Sequence, residues 1–88
     1  MDSPIGLDKL ALRLPAIVHS IAWDRLAAPE AKRLRELGMG EGAEVEVLHR
    51  ARIGGGPIAC RIGRMTVAMR RGVAGAILVA DSAAAAAE

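Results

Sequence analysis

The amino-acid sequence predicts a small, mainly β protein: a closed or nearly closed barrel of about five strands with one or two short covering helices. The chain has 88 residues, which is enough for one domain. Hydrophobic residues make up 52% of it, and with no Phe, no Tyr and one Trp the core must be aliphatic. Several short segments alternate apolar and polar residues, which is the pattern of half-buried strands, and closing such a sheet removes exposed edges.

An amphipathic segment at the start of the chain, residues 1–15, is predicted to form a lead-in helix or turn. Its apolar positions have the three- and four-residue spacing of one helical face: Leu7, Leu10, Ala11 and Leu14. Pro15 closes the segment. The predicted barrel domain follows over residues 16–80, and residues 81–88 read as a low-complexity, alanine-rich tail.

The strongest helix signal lies at residues 28–37. Pro29 fits a first helical turn, and Glu30 suits the positive N-terminal end of the helix dipole. Gly38 supplies the left-handed residue that commonly follows a helix. Apolar residues fall on one stripe, so this helix is expected to cover one side of the barrel.

Five segments have strand character. They cover residues 16–22, 44–50, 58–62, 65–70 and 76–80. The middle three alternate with a period of two, whereas the last is a continuous apolar run that is typical of a strand covered on both sides. Glu44 and Glu46 share one face of their strand, and that face is expected to be exposed to solvent rather than to form a catalytic carboxylate pair.

Charge and cysteine content favour a soluble, cytoplasmic protein. Twelve Lys and Arg against ten Asp and Glu leave a net charge of +2, too little for a strong field toward nucleic acid or membrane. Cys60 is the sole cysteine of the sequence, which is consistent with a reducing compartment. The N-terminus lacks the basic region of a secretory signal, and the uncharged apolar run at residues 72–80 is too short to cross a bilayer as a helix.

The sequence does not predict an enzyme. Its histidines are His19 and His49 and its serines are Ser3, Ser20 and Ser82, which offer no credible nucleophile and base pair. The glycine run at residues 54–56 lacks the Gly-Lys-Ser/Thr ending of a phosphate-binding loop and is read as a hairpin loop.

Two residues are weak candidates for metal binding. A hairpin centred between Gly54 and Gly55 would place His49 opposite Cys60 on the neighbouring strand. A closed zinc site needs four ligands, so the pair alone is insufficient. We therefore predict no metal site and no cofactor.

Nucleic-acid binding is the main alternative that composition raises. Four arginines fall on adjacent predicted strands: Arg61, Arg64, Arg70 and Arg71. Sheets that bind RNA usually add aromatic residues for base stacking, and Trp23 lies outside these strands. A solvated or protein-binding face is the favoured interpretation.

Residues 33–47 read Arg33-Leu34-Arg35-Glu36-Leu37-Gly38, then a loop with further glycines, then a valine-rich strand ending at Val47. This segment resembles the central block of FeoA, a family of small cytosolic proteins of bacterial ferrous iron uptake. The resemblance continues through Ala51, Gly56-Pro57-Ile58, the Ala68 to Arg71 element and the closing Ala76 to Val79, and so covers roughly residues 16–80.

The resemblance implies an SH3-like barrel and an accessory role in which the protein binds and modulates FeoB, the membrane GTPase that transports Fe(II). We expect no cofactor, no nucleic-acid partner and no direct membrane insertion. The same barrel also occurs as the C-terminal module of iron- and manganese-dependent repressors. A regulatory module that homo-oligomerises through an open strand edge therefore stays open as an alternative.

Partner contacts are predicted on two exposed features, because recognition concentrates on loops and exposed charges. The first is the outer face of the helix, with Lys32 and Arg35. The second is the tip of the predicted hairpin, formed by Arg52, Ile53, Gly54, Gly55, Gly56 and Pro57.

Overall fold

Six antiparallel strands form the frame of the molecule. The computed structural model describes residues 4–51 and 55–80. The strands are β1 (Ile5–Gly6), β2 (Ala16–Ile21), β3 (Glu44–Arg50), β4 (Ile58–Ile62), β5 (Met65–Met69) and β6 (Ile77–Val79). The helices are α1 (Ala28–Glu36) and α2 (Arg71–Ala76), with single 3-10 turns at Leu7–Lys9 and Trp23–Arg25. The expected mainly β architecture is confirmed.

The sheet has the order β1-β6-β2-β3-β4-β5. Strand β2 joins the two halves of the sheet, because Ala16 and Ile17 pair with β3 whereas the end of β2 pairs with β6. Register irregularities in β2 and β3 mark bulges, which increase the local bend of a strand. The sheet therefore curls around one aliphatic core.

Every strand from β2 to β6 contributes to that core. Its members with almost no exposed surface include Val18, Val45, Val47, Ile58, Cys60, Ile77 and Val79. In β4 the buried residues alternate with partly or fully exposed ones, as the period of two predicts. In β6 the strand has a partner on each side, which explains its continuous apolar sequence.

Helix α1 confirms the predicted helix almost residue for residue, because its ends depend on local signals. The Glu30 carboxylate accepts a hydrogen bond from the Ala27 amide at 3.1 Å. At the other end Gly38 has a φ of +84° and donates to the Arg35 carbonyl, while Met39 donates to the Leu34 carbonyl at 2.9 Å. These two bonds form a Schellman motif, which requires the left-handed glycine.

The beginning of the chain, predicted as a lead-in helix or turn, contains a short strand followed by a turn. Residues 5 and 6 form β1, which pairs with β6, and a single 3-10 turn follows. Leu7 and Leu10 are completely buried, whereas Ala11, predicted on the same face, is exposed. Residues 5–10 are therefore part of the sheet and the core.

Arg50 attaches this N-terminal segment to the barrel. Its guanidinium, on β3, donates hydrogen bonds to the carbonyls of Asp8 at 2.7 Å and Leu10 at 3.0 Å. Hydrogen bonds from a charged donor are about twice as strong as neutral ones. The contact joins two segments that are 40 residues apart in the sequence.

Helix α2 is absent from the sequence-based prediction. It lies between β5 and β6 and packs against β1 and the 3-10 turn at Leu7–Lys9. Gly6 on β1 makes the close approach possible, since a Cβ atom there would lie 3.1 Å from the Gly75 carbonyl oxygen. The predicted final strand, residues 76–80, is correspondingly shortened to Ile77–Val79.

The predicted exposure of both glutamates on β3 is wrong for one of them. Glu44 is exposed, but Glu46 retains only 9% of its surface. The Arg61 guanidinium on β4 donates a hydrogen bond to the Glu46 carboxylate, because the two residues are direct cross-strand partners.

Candidate docking groove

A groove separates α1 from β5, the edge strand of the sheet. Its apolar lining comes from three elements: Leu34 and Leu37 on α1 and just after it, Val67 and Met69 on β5, and Val73 on α2. The volume is about 280 Å³, just below the range of about 300–1,000 Å³ that is usual for small-molecule sites. The groove therefore suits a few apolar side chains of a partner better than a cofactor.

Charged residues form the rim of the groove. Glu30 and Arg70 form an ion pair at 2.5 Å, which connects the start of α1 to the end of β5. Arg33 lines the same groove, so two arginines and one glutamate leave its rim with a charge of +1. The hydrogen bond from Arg70, and secondly that from the Ala27 amide, lowers the pKa of Glu30.

This ion pair should be visible in an acid titration. Because the folded-state pKa of Glu30 is lowered, the contact is fully present above the ordinary glutamate pKa and is lost as the pH falls through the lowered value. We expect the Glu30 carboxyl carbon to titrate in NMR at a lower pH than an ordinary glutamate, and Arg70→Gln to raise that midpoint. Arg64→Gln is the control, and an equal rise in that variant would contradict the assignment.

Strand β5 borders the groove with an open edge. It pairs with β4 on one side, and no other strand of the described residues pairs with it. Thr66 and Ala68 are exposed, and Met65 retains 43% of its surface. On the face of β5 that carries Met65, Val67 and Met69, burial is therefore graded, from exposed at the start of the strand to buried at its end.

The predicted helix contacts lie beside the groove rather than in it. Lys32 is exposed on α1. The Arg35 guanidinium carbon lies 4.3 Å from the centroid of the Trp23 ring, a cation–π arrangement. Arg35 thus already has a partner within the chain, which leaves Lys32 as the more accessible of the two.

The predicted loop contacts divide into two groups. Arg52, Ile53 and Gly54 lie outside the described residues. Gly55 has a φ of +61°, and Pro57 lines the groove. Gly56 packs close to Ala51, since a Cβ atom added there would lie 3.1 Å from the Ala51 Cβ.

Sequence reasoning missed the residues that form the groove itself. Leu37 and Val67 are partly buried. Their apolar character predicts that they are buried. It does not predict the groove between them, because the groove depends on how α1 lies across the sheet. Arg70 was considered only as one of four arginines on predicted strands, and Arg33 only as part of the block at residues 33–47.

The two weak metal candidates do not face each other. The bulge in β3 shifts the register, so that Cys60 lies opposite Val47 and His49 opposite Ala59. His49 is exposed, whereas Cys60 is buried, and burial raises the pKa of its thiol to about 11. The thiol is therefore protonated at neutral pH and is a poor metal ligand. Within residues 4–51 and 55–80, no group of three or more His, Cys, Asp or Glu side chains could hold a metal ion.

The four arginines that suggested nucleic-acid binding do not form one stripe. Arg61 pairs with Glu46, and Arg70 pairs with Glu30. Arg71 lies on α2, not on a strand, and donates a hydrogen bond to the Ala51 carbonyl at 2.5 Å. Three of the four are thus engaged within the chain, which weakens this alternative.

The curled antiparallel sheet around one core, with short covering helices, defines a small β-barrel domain of the SH3-like class. The FeoA domain family matches residues 6–81, nearly the whole chain. The chain therefore belongs to the FeoA family, as the resemblance in its central block indicated. The match includes the N-terminal segment that the sequence pattern alone assigned to a lead-in.

Solved structures of FeoA proteins have the same fold. FeoA from Stenotrophomonas maltophilia, complexed with zinc, is 34% identical with a TM-score of 0.71, over 85% of this chain and 88% of that one. It is described as a unique procaryotic SH3 domain protein, with a suggested role as a ferrous iron transport activating factor. FeoA from Chlorobium tepidum is 33% identical with a TM-score of 0.73, over 85% of this chain and 68% of that one.

A manganese-dependent transcriptional repressor shares the fold more distantly. It is 21% identical with a TM-score of 0.77, over 92% of this chain and 43% of that one. The repressor thus contains this barrel within a longer protein. No curated protein matches the sequence significantly. None of the described helices is long and apolar enough to cross a membrane.

Proposed function

We propose that this protein is a non-catalytic accessory protein of bacterial ferrous iron uptake that binds the cytosolic region of the FeoB transporter and modulates its GTPase or transport cycle. The observation that supports the proposal most directly is the FeoA family match over residues 6–81. The role suggested for the Stenotrophomonas maltophilia relative, activation of ferrous iron transport, agrees with it.

The chemistry of the surface agrees with a binding role. A groove with an apolar floor and a charged rim resembles the arrangement of protein interfaces, in which an apolar centre is surrounded by polar residues. Among the described residues, the histidines are not joined to a carboxylate that could activate them: His19 contacts Ser20, and His49 is exposed. These features support action on a partner rather than on a substrate.

The proposal is tested with the full chain and the purified cytosolic region of the FeoB transporter from the same genome. Calorimetry should show saturable binding, and the GTP hydrolysis rate of the transporter should change when the protein is added. The cytosolic region of an unrelated GTPase is the control. Absence of both binding and a rate change would overturn the proposal.

A salt titration separates this function from nucleic-acid binding. RNA or DNA affinity near the micromolar range that falls steeply between about 50 and 200 mM salt would favour a nucleic-acid-binding barrel. We expect instead no saturable RNA or DNA binding at 150 mM salt, since the rim of the groove has a charge of only about +1.

A further inference from the structure

We propose that the open edge of β5 and the adjoining groove bind one extended segment of a partner protein, whose apolar residues alternate with polar ones and which carries an acidic residue at each end. This inference rests on the proposed function only in assigning the segment to the transporter. The site itself is argued from the geometry of the edge, the floor of the groove and the flanking charges.

The backbone of β5 is arranged to accept a strand. Ile62 and Met65 close the two-residue turn between β4 and β5, in which Gly63 has a φ of +59°. Residues that close such a turn bond to each other, so the alternation directs the backbone groups of Thr66 and Ala68 away from β4. Both residues are exposed, which leaves these groups accessible to an added strand.

The groove lies beside this edge and determines which side chains the segment needs. Val67 and Met69 line it from β5, and Leu34 and Leu37 face them from α1. An added strand would place every second side chain over this floor. With about 280 Å³ available, a few aliphatic side chains fill the groove.

The charges at the two ends of β5 favour acidic residues in the segment. Arg64 precedes the strand, and Arg70 follows it but is already paired with Glu30. Arg33, on the helix side of the groove, supplies a further positive charge, so the three arginines and Glu30 leave a charge of +2 around the edge. Opposite charges across paired strands are stabilising, so an acidic residue at each end of the segment complements the edge.

The same charges argue against a second copy of this chain as the occupant. Antiparallel pairing of two β5 strands centred on Val67 would place Arg64 of each copy opposite Arg70 of the other. Like charges directly opposite each other are destabilising, so this register is disfavoured for a second copy. The positive charges suit a different chain with acidic ends.

The first test uses a synthetic seven-residue peptide with glutamate at both ends, leucine or valine at positions two, four and six, and threonine between them. Titrated into the isotope-labelled full chain, it should shift the amide signals of Thr66 and Ala68 with a Kd below about 1 mM. A peptide with lysine at both ends is the control and should bind at least about fivefold more weakly. Absence of shifts in β5, or equal binding of both peptides, would overturn the inference.

Two variants with matched controls examine the edge and the charge separately. Ala68→Pro removes an outward amide and should weaken peptide binding up to about tenfold, whereas Ala68→Ser retains it and should not. Arg33→Glu should weaken binding about fivefold, whereas Lys9→Glu makes the same charge change at an exposed residue outside the groove lining and should have little effect. If Ala68→Pro does not fold, the comparison of Arg33→Glu with Lys9→Glu decides. Equal effects of Arg33→Glu and Lys9→Glu would overturn the inference.

The same variants in the transporter experiment separate the two proposals. Transporter binding that survives Arg33→Glu and Ala68→Pro unchanged would overturn the groove inference and leave the proposed function standing. Peptide binding at β5 without any transporter binding would overturn the proposed function and leave the groove inference standing. A dimer in sedimentation that Ala68→Pro dissociates would assign the edge to a second copy and overturn the inference.

Discussion

Replacing Leu7 with alanine is expected to lower the free energy of unfolding by about 2–5 kcal/mol. Leu7 has no exposed surface and packs in the central core next to β1. Its truncation removes buried apolar area and leaves a cavity that the aliphatic core fills only in part. A loss of this size is a large fraction of the stability of a small domain. Urea unfolding followed by circular dichroism measures the effect.

Leu12→Ala is the matched control for this substitution. Leu12 lies five residues further along but keeps 46% of its surface exposed. Its truncation is expected to change the free energy of unfolding by no more than about 0.5 kcal/mol. If the two variants unfold at the same urea concentration, the N-terminal segment does not belong to the core.

Arg50→Met is expected to cost about 2–3 kcal/mol, because it removes a charged donor from two carbonyl groups of the N-terminal segment. Methionine retains most of the aliphatic length of the side chain, so the variant isolates the loss of the hydrogen bonds. Thermal unfolding measures the difference, and Arg64→Met, at an exposed arginine, should leave the midpoint almost unchanged.

The double variant Leu7→Ala with Arg50→Met tests whether both residues act on one segment. Residues that hold the same element are coupled, so the combined loss should be smaller than the sum of the single losses. Strict additivity would contradict the idea that Arg50 stabilises the barrel through the segment that contains Leu7.

The sequence predicted those elements whose signals are local. Helix α1 was predicted because Pro29, Glu30 and Gly38 mark its ends without reference to the remainder of the chain. Strands β2 to β5 were predicted because each has one buried face or a β-branched composition, and β6 because it is a continuous apolar run. At residues 5–14 the turn was predicted as one alternative but strand β1 was not, since the leucine spacing of a helix is also satisfied by a short strand followed by a 3-10 turn.

Features that depend on contacts between distant segments were not predictable. Helix α2 contains Gly72 and Gly75, which lower its intrinsic helix propensity, and packing against β1 compensates for them. The bulge that separates His49 from Cys60 leaves no mark in the alternation of β3. Pro57 was predicted as a partner contact because of its position in a loop, and it does line the groove. Leu37, Val67 and Arg33 become site residues only because the fold brings α1 close to β5.

The unequal length of the two sheet edges limits how the protein can assemble. At one end of the sheet β1 offers only two residues and is packed against α2, while at the other end β5 offers five. Growth of a filament by strand addition requires two usable edges on every molecule. Within the described residues this chain has one, so pairing at β5 ends with a single added strand and cannot propagate from copy to copy.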